Sequence, residues 1–186
     1  SLLPIIGNQL VSDSLDKSIE QLELNGISVK NDTVDSSYMN SFRHYEFYVS
    51  DDQTFSSPNA LAIRTTSKSS TNAFGQWKRF FDISDFENCS NIVVRSDIIT
   101  ENLIEGSVGI TIDLYERNSQ NELVYFGRYF NALSDIGTGV FNTENFEAHA
   151  ICIPENTAAI GIFLYTNNTS ENTVVTFDNL EIELFE

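Results

Sequence analysis

The sequence predicts an all-β protein built as a β-sandwich or barrel. Three observations carry this: period-two alternation in many short apolar segments, polar turn signals between them, and no alternation of strands with helices. The closing segment, residues 173–184 (TVVTFDNLEIEL), is the clearest case. Val174, Thr176, Leu180, Ile182 and Leu184 share one parity, while Val175, Glu181 and Glu183 fall on the other. Such a strand has one dry and one wet face. Asp178-Asn179 interrupts it, and two strand-poor residues at that place predict a bulge or a ligand site.

In chain order, residues 2–10 are apolar and broken by Pro4 and Gly7, which suits an edge strand or the tail of a linker. Residues 13–24 form the one segment with helical spacing. Leu15, Ile19 and Leu22 recur at that period, Ser12 or Asp13 can cap the start, and Asn25-Gly26 stops it. Everything after Gly26 reads as β. Strands are expected over 44–50 (HYEFYVS), 60–66 (ALAIRTT), 74–84 (FGQWKRFFDIS) and 91–99. Residues 109–116 (GITIDLYE) and 123–131 (LVYFGRYFN) form a hairpin across the polar turn 118–121. Gly137 and Gly139 open a loop, and 146–153 pairs with 158–166 across Pro154-Glu155-Asn156.

The chain has 186 residues, enough for one domain with a real core, and its 14 Phe supply ample material to bury. The formal charge of −17 repels phosphate backbones and anionic surfaces, so nucleic acid is excluded as a partner and anionic glycans are disfavoured. No apolar run reaches the roughly 18 residues of a membrane span, so membrane insertion is not expected. Ser1-Leu2-Leu3-Pro4 lacks the basic start and apolar core of a signal peptide, which reads as a cytosolic chain or a mature or excised piece of an exported one. Cys89 and Cys152 could form one bridge, though the apolar setting Ala150-Ile151-Cys152-Ile153 favours a buried free thiol.

The segment Asn59-Ala60-Leu61-Ala62-Ile63, a Trp in the next strand and the closing Phe177-Asp178-Asn179 together resemble jelly-roll carbohydrate-binding modules with the galactose-binding-like fold. The resemblance spans about residues 25–186. It implies a two-sheet antiparallel β-sandwich (jelly roll) over 25–186, preceded by a short helical or irregular extension over 1–24. It also implies an exported or surface-attached protein joined to other domains of the same polypeptide. Many such modules hold a structural calcium, and Asp178 matches one of its ligands; the second ligand has no match here.

Signatures of catalysis are absent: no Gly-x-Ser-x-Gly, no His-Glu-x-x-His and no phosphate-binding glycine loop. His44 and His149 read as strand residues, and Glu181 with Glu183 as a solvated face. No enzymatic activity is expected. Sugar recognition needs flat aromatic faces beside groups that hold hydroxyls. Trp77 and Arg79 share a parity, as do Tyr125 and Tyr129 with Gly127 between them. These four are the candidate carbohydrate-binding residues, with a neutral poly- or oligosaccharide as the expected ligand. The alternative is a structural or adhesion sandwich of a larger surface protein with no sugar ligand.

Overall fold

The structure, a computed structural model, describes residues 2–3, 11–12, 23–24, 27–28, 44–50, 60–68, 73–82 and 89–185. Nine longer strands follow one another: β5 (Tyr45–Ser50), β6 (Ala60–Thr65), β7 (Phe74–Asp82), β8 (Ser90–Leu103), β9 (Ser107–Arg117), β10 (Leu123–Ser134), β11 (Gly137–Ile153), β12 (Thr157–Asn167) and β13 (Val174–Phe185). Four two-residue strands precede them: β1 (Leu2–Leu3), β2 (Val11–Ser12), β3 (Glu23–Leu24) and β4 (Ile27–Ser28). One sheet has the order β11-β8-β13-β6-β5, with β1 also on β13; the other has the order β10-β9-β12-β7-β2. All pairings are antiparallel. The protein is an all-β sandwich, as the alternation predicts.

Between the sheets lies a core of Leu61, Ile63, Ile92, Val94, Ile98, Ile110, Ile112, Ile160, Ile162, Leu164 and Phe177, among others. Strands buried on both faces occupy the middle of each sheet. In β9 and β12 nearly every residue is buried, so each strand needs a partner at both edges and cover on both faces. This explains a departure from the expected pairing. Residues 146–153 and 158–166 do not pair with each other. β11 lies beside β8 in one sheet, and β12 runs between β7 and β9 in the other, so the chain crosses between layers at Pro154-Glu155-Asn156.

The expected loop at Gly137 and Gly139 is likewise the start of β11, marked by a register shift between Gly137 and Val140. The expected helix lies mostly outside the described residues. Its end, Glu23–Leu24, is a strand paired with Ile27–Ser28. Leu2–Leu3 pairs with β13 and Val11–Ser12 with β7, so these two segments extend the two sheets, while Glu23–Leu24 and Ile27–Ser28 form a separate two-stranded sheet.

Cys89 and Cys152 are joined by a disulfide, and both are exposed, which corrects the reading of Cys152 as a buried thiol. The bridge ties the start of β8 to the end of β11.

Strand β11 carries three bulges, and each is held in the same way. At the three register shifts the N–H groups of Gly139, Asn145 and Cys152 point away from the ladder. They donate to Asn102 Oδ1 (2.9 Å), Asp97 Oδ1 (2.8 Å) and Asn91 Oδ1 (2.8 Å), all on β8. All three bulge residues have positive φ, at 102°, 51° and 55°. Short acceptor side chains on β8 thus satisfy backbone donors that the bulges would leave unpaired.

Candidate functional site

Strand register decides which side chains leave the core. In the five-stranded sheet Ile110, Ile112 and Leu114 of β9 face inward, so Thr111, Asp113 and Tyr115 face outward. Their cross-strand partners define the outer face. On β12 these are Phe163, Gly161 and Ala159, and on β7 the next neighbours are Lys78 and Phe80. On β10 they are Phe130, Arg128 and Tyr125.

Aromatic rings cross this face in an edge-to-face series. Tyr125 meets Tyr115 at 6.3 Å, Tyr115 meets Phe80 at 5.5 Å, and Phe80 meets Phe163 at 5.7 Å. A glycine makes the series possible: a Cβ on Gly161 would lie 3.0 Å from the Phe80 ring and 2.8 Å from Phe163. Without a side chain on β12 there, Phe80 of β7 reaches Tyr115 of β9.

The floor is buried and the β10 rim is open. Tyr125 is 38% exposed and Phe130 67%. Between them Arg128 donates from Nε and Nη2 to Asp113 Oδ1 (2.7 Å) and Oδ2 (3.0 Å), a bidentate pair. Its guanidinium lies 5.5 Å from the centre of the Tyr125 ring. Burial holds the Asp113 carboxyl above its ordinary 3.8, with Arg128 pulling the other way. The bond to Asp113 raises Arg128 further into its charged range. Burial and the Arg128 charge thus pull the Asp113 carboxyl in opposite directions, and the bidentate geometry fixes where the guanidinium lies.

The structure separates the four candidate residues. Trp77 lies in the core at 4% exposure; its Nε1 donates to Ala62 O of the opposite sheet (3.1 Å), and Phe47 packs edge-on against it at 5.9 Å. It therefore lies on the opposite face of β7 from Phe80. Arg79 pairs through its backbone with Ile162, and its side chain lies outside the described part. Tyr125 and Tyr129 do not share a face. A bulge between Tyr125 and Gly127 inverts the parity, so Tyr129 opposes Ile112, packs against the core and donates from its hydroxyl to Ile151 O (3.0 Å). The same bulge places Tyr125 beside Arg128, a pair that sequence parity assigns to opposite faces. Phe80, Tyr115, Phe130 and Phe163 were missed as a group; their only sequence signal is that they lie outside the apolar alternation of their strands.

Asp178 is buried beside the bulge of β13, where the register shifts between Asp178 and Glu181. Its Oδ1 accepts from Asn179 N (2.9 Å), and Asn179 Nδ2 donates to Asp97 Oδ2 (2.7 Å). Three of the four carboxylate oxygens of Asp97 and Asp178 are thus engaged by N–H donors. Calcium wants six to eight oxygens turned toward it, and among the described residues no group of three or more His, Cys, Asp or Glu could hold a metal. His149, read from sequence as isolated, has Nε2 3.1 Å from Glu147 Oε2 on exposed β11.

No protein-family model matches the sequence, and no curated protein matches it. Among solved structures the chain is similar to a carbohydrate-binding module specific for non-crystalline cellulose, CBM28, with 16% identity and a TM-score of 0.44 over 83% of this chain and 96% of that one. It is similar to TmCBM61, solved with β-1,4-galactotriose, with 10% identity and a TM-score of 0.44 over 77% and 83%. It is also similar to the enzymatically active domain of bacteriophage CBA120 tailspike protein 4, with 13% identity and a TM-score of 0.45 over 76% of this chain and 17% of that one. The chain therefore spans under a fifth of the tailspike domain. Carbohydrate-binding modules with a β-sandwich fold predominate among such structures.

Proposed function

We propose that the chain is a non-catalytic carbohydrate-binding module that holds a neutral oligo- or polysaccharide on the outer face of its five-stranded sheet. The single observation carrying this is the open rim of Tyr125, Arg128 and Phe130, continuous with the aromatic series behind it. Rings of this kind stack on the C–H faces of pyranoses, and a guanidinium donates to ring hydroxyls. A neutral ligand is favoured because a net charge of −17 repels anions. The Cys89–Cys152 bridge suits an oxidising, extracellular setting, and attachment to other domains of one polypeptide is part of the same proposal.

A second reading, a structural or adhesion domain, is favoured by Val140 and Phe141, both exposed on edge strand β11. Calorimetric titration against a panel of soluble neutral polysaccharides separates the two. Binding should occur with modest affinity, and the Tyr125→Ala/Phe130→Ala variant should weaken it about tenfold or more, the loss of roughly 0.5–1.5 kcal/mol per aromatic contact. As surface changes, the two substitutions should move stability by no more than about 0.5 kcal/mol each. No binding across the panel would leave the adhesion reading.

A further inference from the structure

Strand β10 is an edge of the five-stranded sheet: among the described residues β9 lies on one side of it and no strand on the other. From Gly127 to Ser134 it pairs with β9 residue for residue, from Leu114 to Ser107, without a bulge. Its twelve residues hold no Pro and no Lys, and the one charge, Arg128, is already bound to Asp113. Edge strands that stay single are ordinarily guarded by such residues, by bulges or by a covering segment, because their outward N–H and C=O groups invite another strand. Strand β11, the edge of the other sheet, is guarded in this way. It has three bulges, and two of its carbonyls, Ile151 O and Glu147 O, accept from Tyr129 Oη (3.0 Å) and Asn131 Nδ2 (2.8 Å) of β10.

The open groups of β10 follow from one hydrogen bond. Ala132 N–H donates to the Asn131 side chain (Oδ1, 3.0 Å), so it points away from the β9 ladder. Outward groups alternate along an antiparallel strand, which turns the N–H and C=O of Arg128 and Phe130 outward as well. Both residues are exposed. An antiparallel strand offering the same two residues satisfies these groups. Arg128 then exchanges both bonds with the partner's Phe130, and Phe130 with the partner's Arg128, about a two-fold axis at Tyr129. We infer that β10 pairs with β10 of a second copy of this chain, joining two five-stranded sheets into one. A second copy suits this edge because the pairing is self-complementary. It also suits the charge: copies of net charge −17 repel one another, and β10 brings no carboxylate to the contact. The pairing leaves the outer face open and sets the two rims of Tyr125, Arg128 and Phe130 side by side. It needs no sugar.

The test is sedimentation equilibrium over a wide range of protein concentration at low and high salt, with amide hydrogen exchange at both ends of that range. The protein should show a monomer–dimer equilibrium that added salt tightens, since the two copies carry the same sign of charge. The amides of Arg128 and Phe130 should exchange more slowly at high concentration, with those of β11 unchanged. Phe130→Lys sets a cation opposite the partner's Arg128, and the two-fold repeats the change. The dissociation constant should therefore rise about tenfold or more, while the melting temperature of this exposed-site variant stays nearly unchanged. A monomer at every concentration and salt would overturn the pairing. So would a dimer that Phe130→Lys leaves intact, a dimer that salt dissociates, or one that forms without slowing exchange at Arg128 and Phe130.

Discussion

Asp113 and Arg128 show how one residue pair fixes the position of a cation. Burial raises the Asp113 carboxyl above its ordinary 3.8. A group with a raised folded pKa holds more proton folded than unfolded through that window, so its contribution to stability rises on acidification and falls again toward neutral pH. Protonation also loosens its hold on Arg128. Glycan affinity should therefore decline in acid from a pH above the usual carboxylate range, with no loss of melting temperature due to this group. Asp113→Ala should lower affinity at neutral pH and flatten that profile; affinity unchanged through the acid range would refute the coupling. Trp77 marks the opposite outcome. Its burial and its bond to Ala62 O predict that Trp77→Ala costs roughly 3–5 kcal/mol in chemical denaturation. Sequence could not assign it a face, because β7 carries aromatics on both parities, with Trp77 on one and Phe74 and Phe80 on the other. The candidates on β10 misled for a different reason: one extra residue at the bulge inverts every face after it. Nothing in Tyr125-Phe126-Gly127 announces that residue.

At the scale of elements, the bulge at Asp178-Asn179 was legible, since Asp and Asn break an otherwise regular strand and Asn179 adopts a φ of 51°. The three bulges of β11 were not. Their acceptors, Asn91, Asp97 and Asn102, sit on a different strand, and only register brings them together. Asp97 is the shared member, accepting from Asn145 N of β11 and from Asn179 Nδ2 of β13 on either side of β8. Asp97→Ala removes both acceptors; one bond is exposed and the other part-buried, so each should cost about 0.5–1.5 kcal/mol in thermal melts. The same melts examine calcium at Asp178, a proposal carried by the sequence resemblance alone. A bound ion would stabilise the fold by mass action, so a melting temperature that falls with chelator and recovers with calcium would support it. The hydrogen-bonded arrangement predicts identical melts. Of the segment 13–24 only Glu23–Leu24 lies within the described residues, and it pairs as a strand with Ile27–Ser28.

Across the whole molecule, alternation and turn spacing made the sandwich legible, whereas the layer to which each strand belongs was not. Sequential strands are expected to pair, and β9 with β10 does. The step from β11 to β12 crosses between layers because β12, apolar on both faces, is placed at the centre of its sheet. That crossing assembles the outer face, by setting Gly161 and Phe163 between β7 and β9. The central claim is that this face receives a neutral glycan, and a ¹H–¹⁵N chemical-shift titration with a binding oligosaccharide tests it most directly. The account predicts shifts concentrated at Tyr125, Arg128 and Phe130, with the amides of β8 and β13 unmoved. Shifts confined to the six-stranded sheet, such as those of Val140 and Phe141, would contradict it.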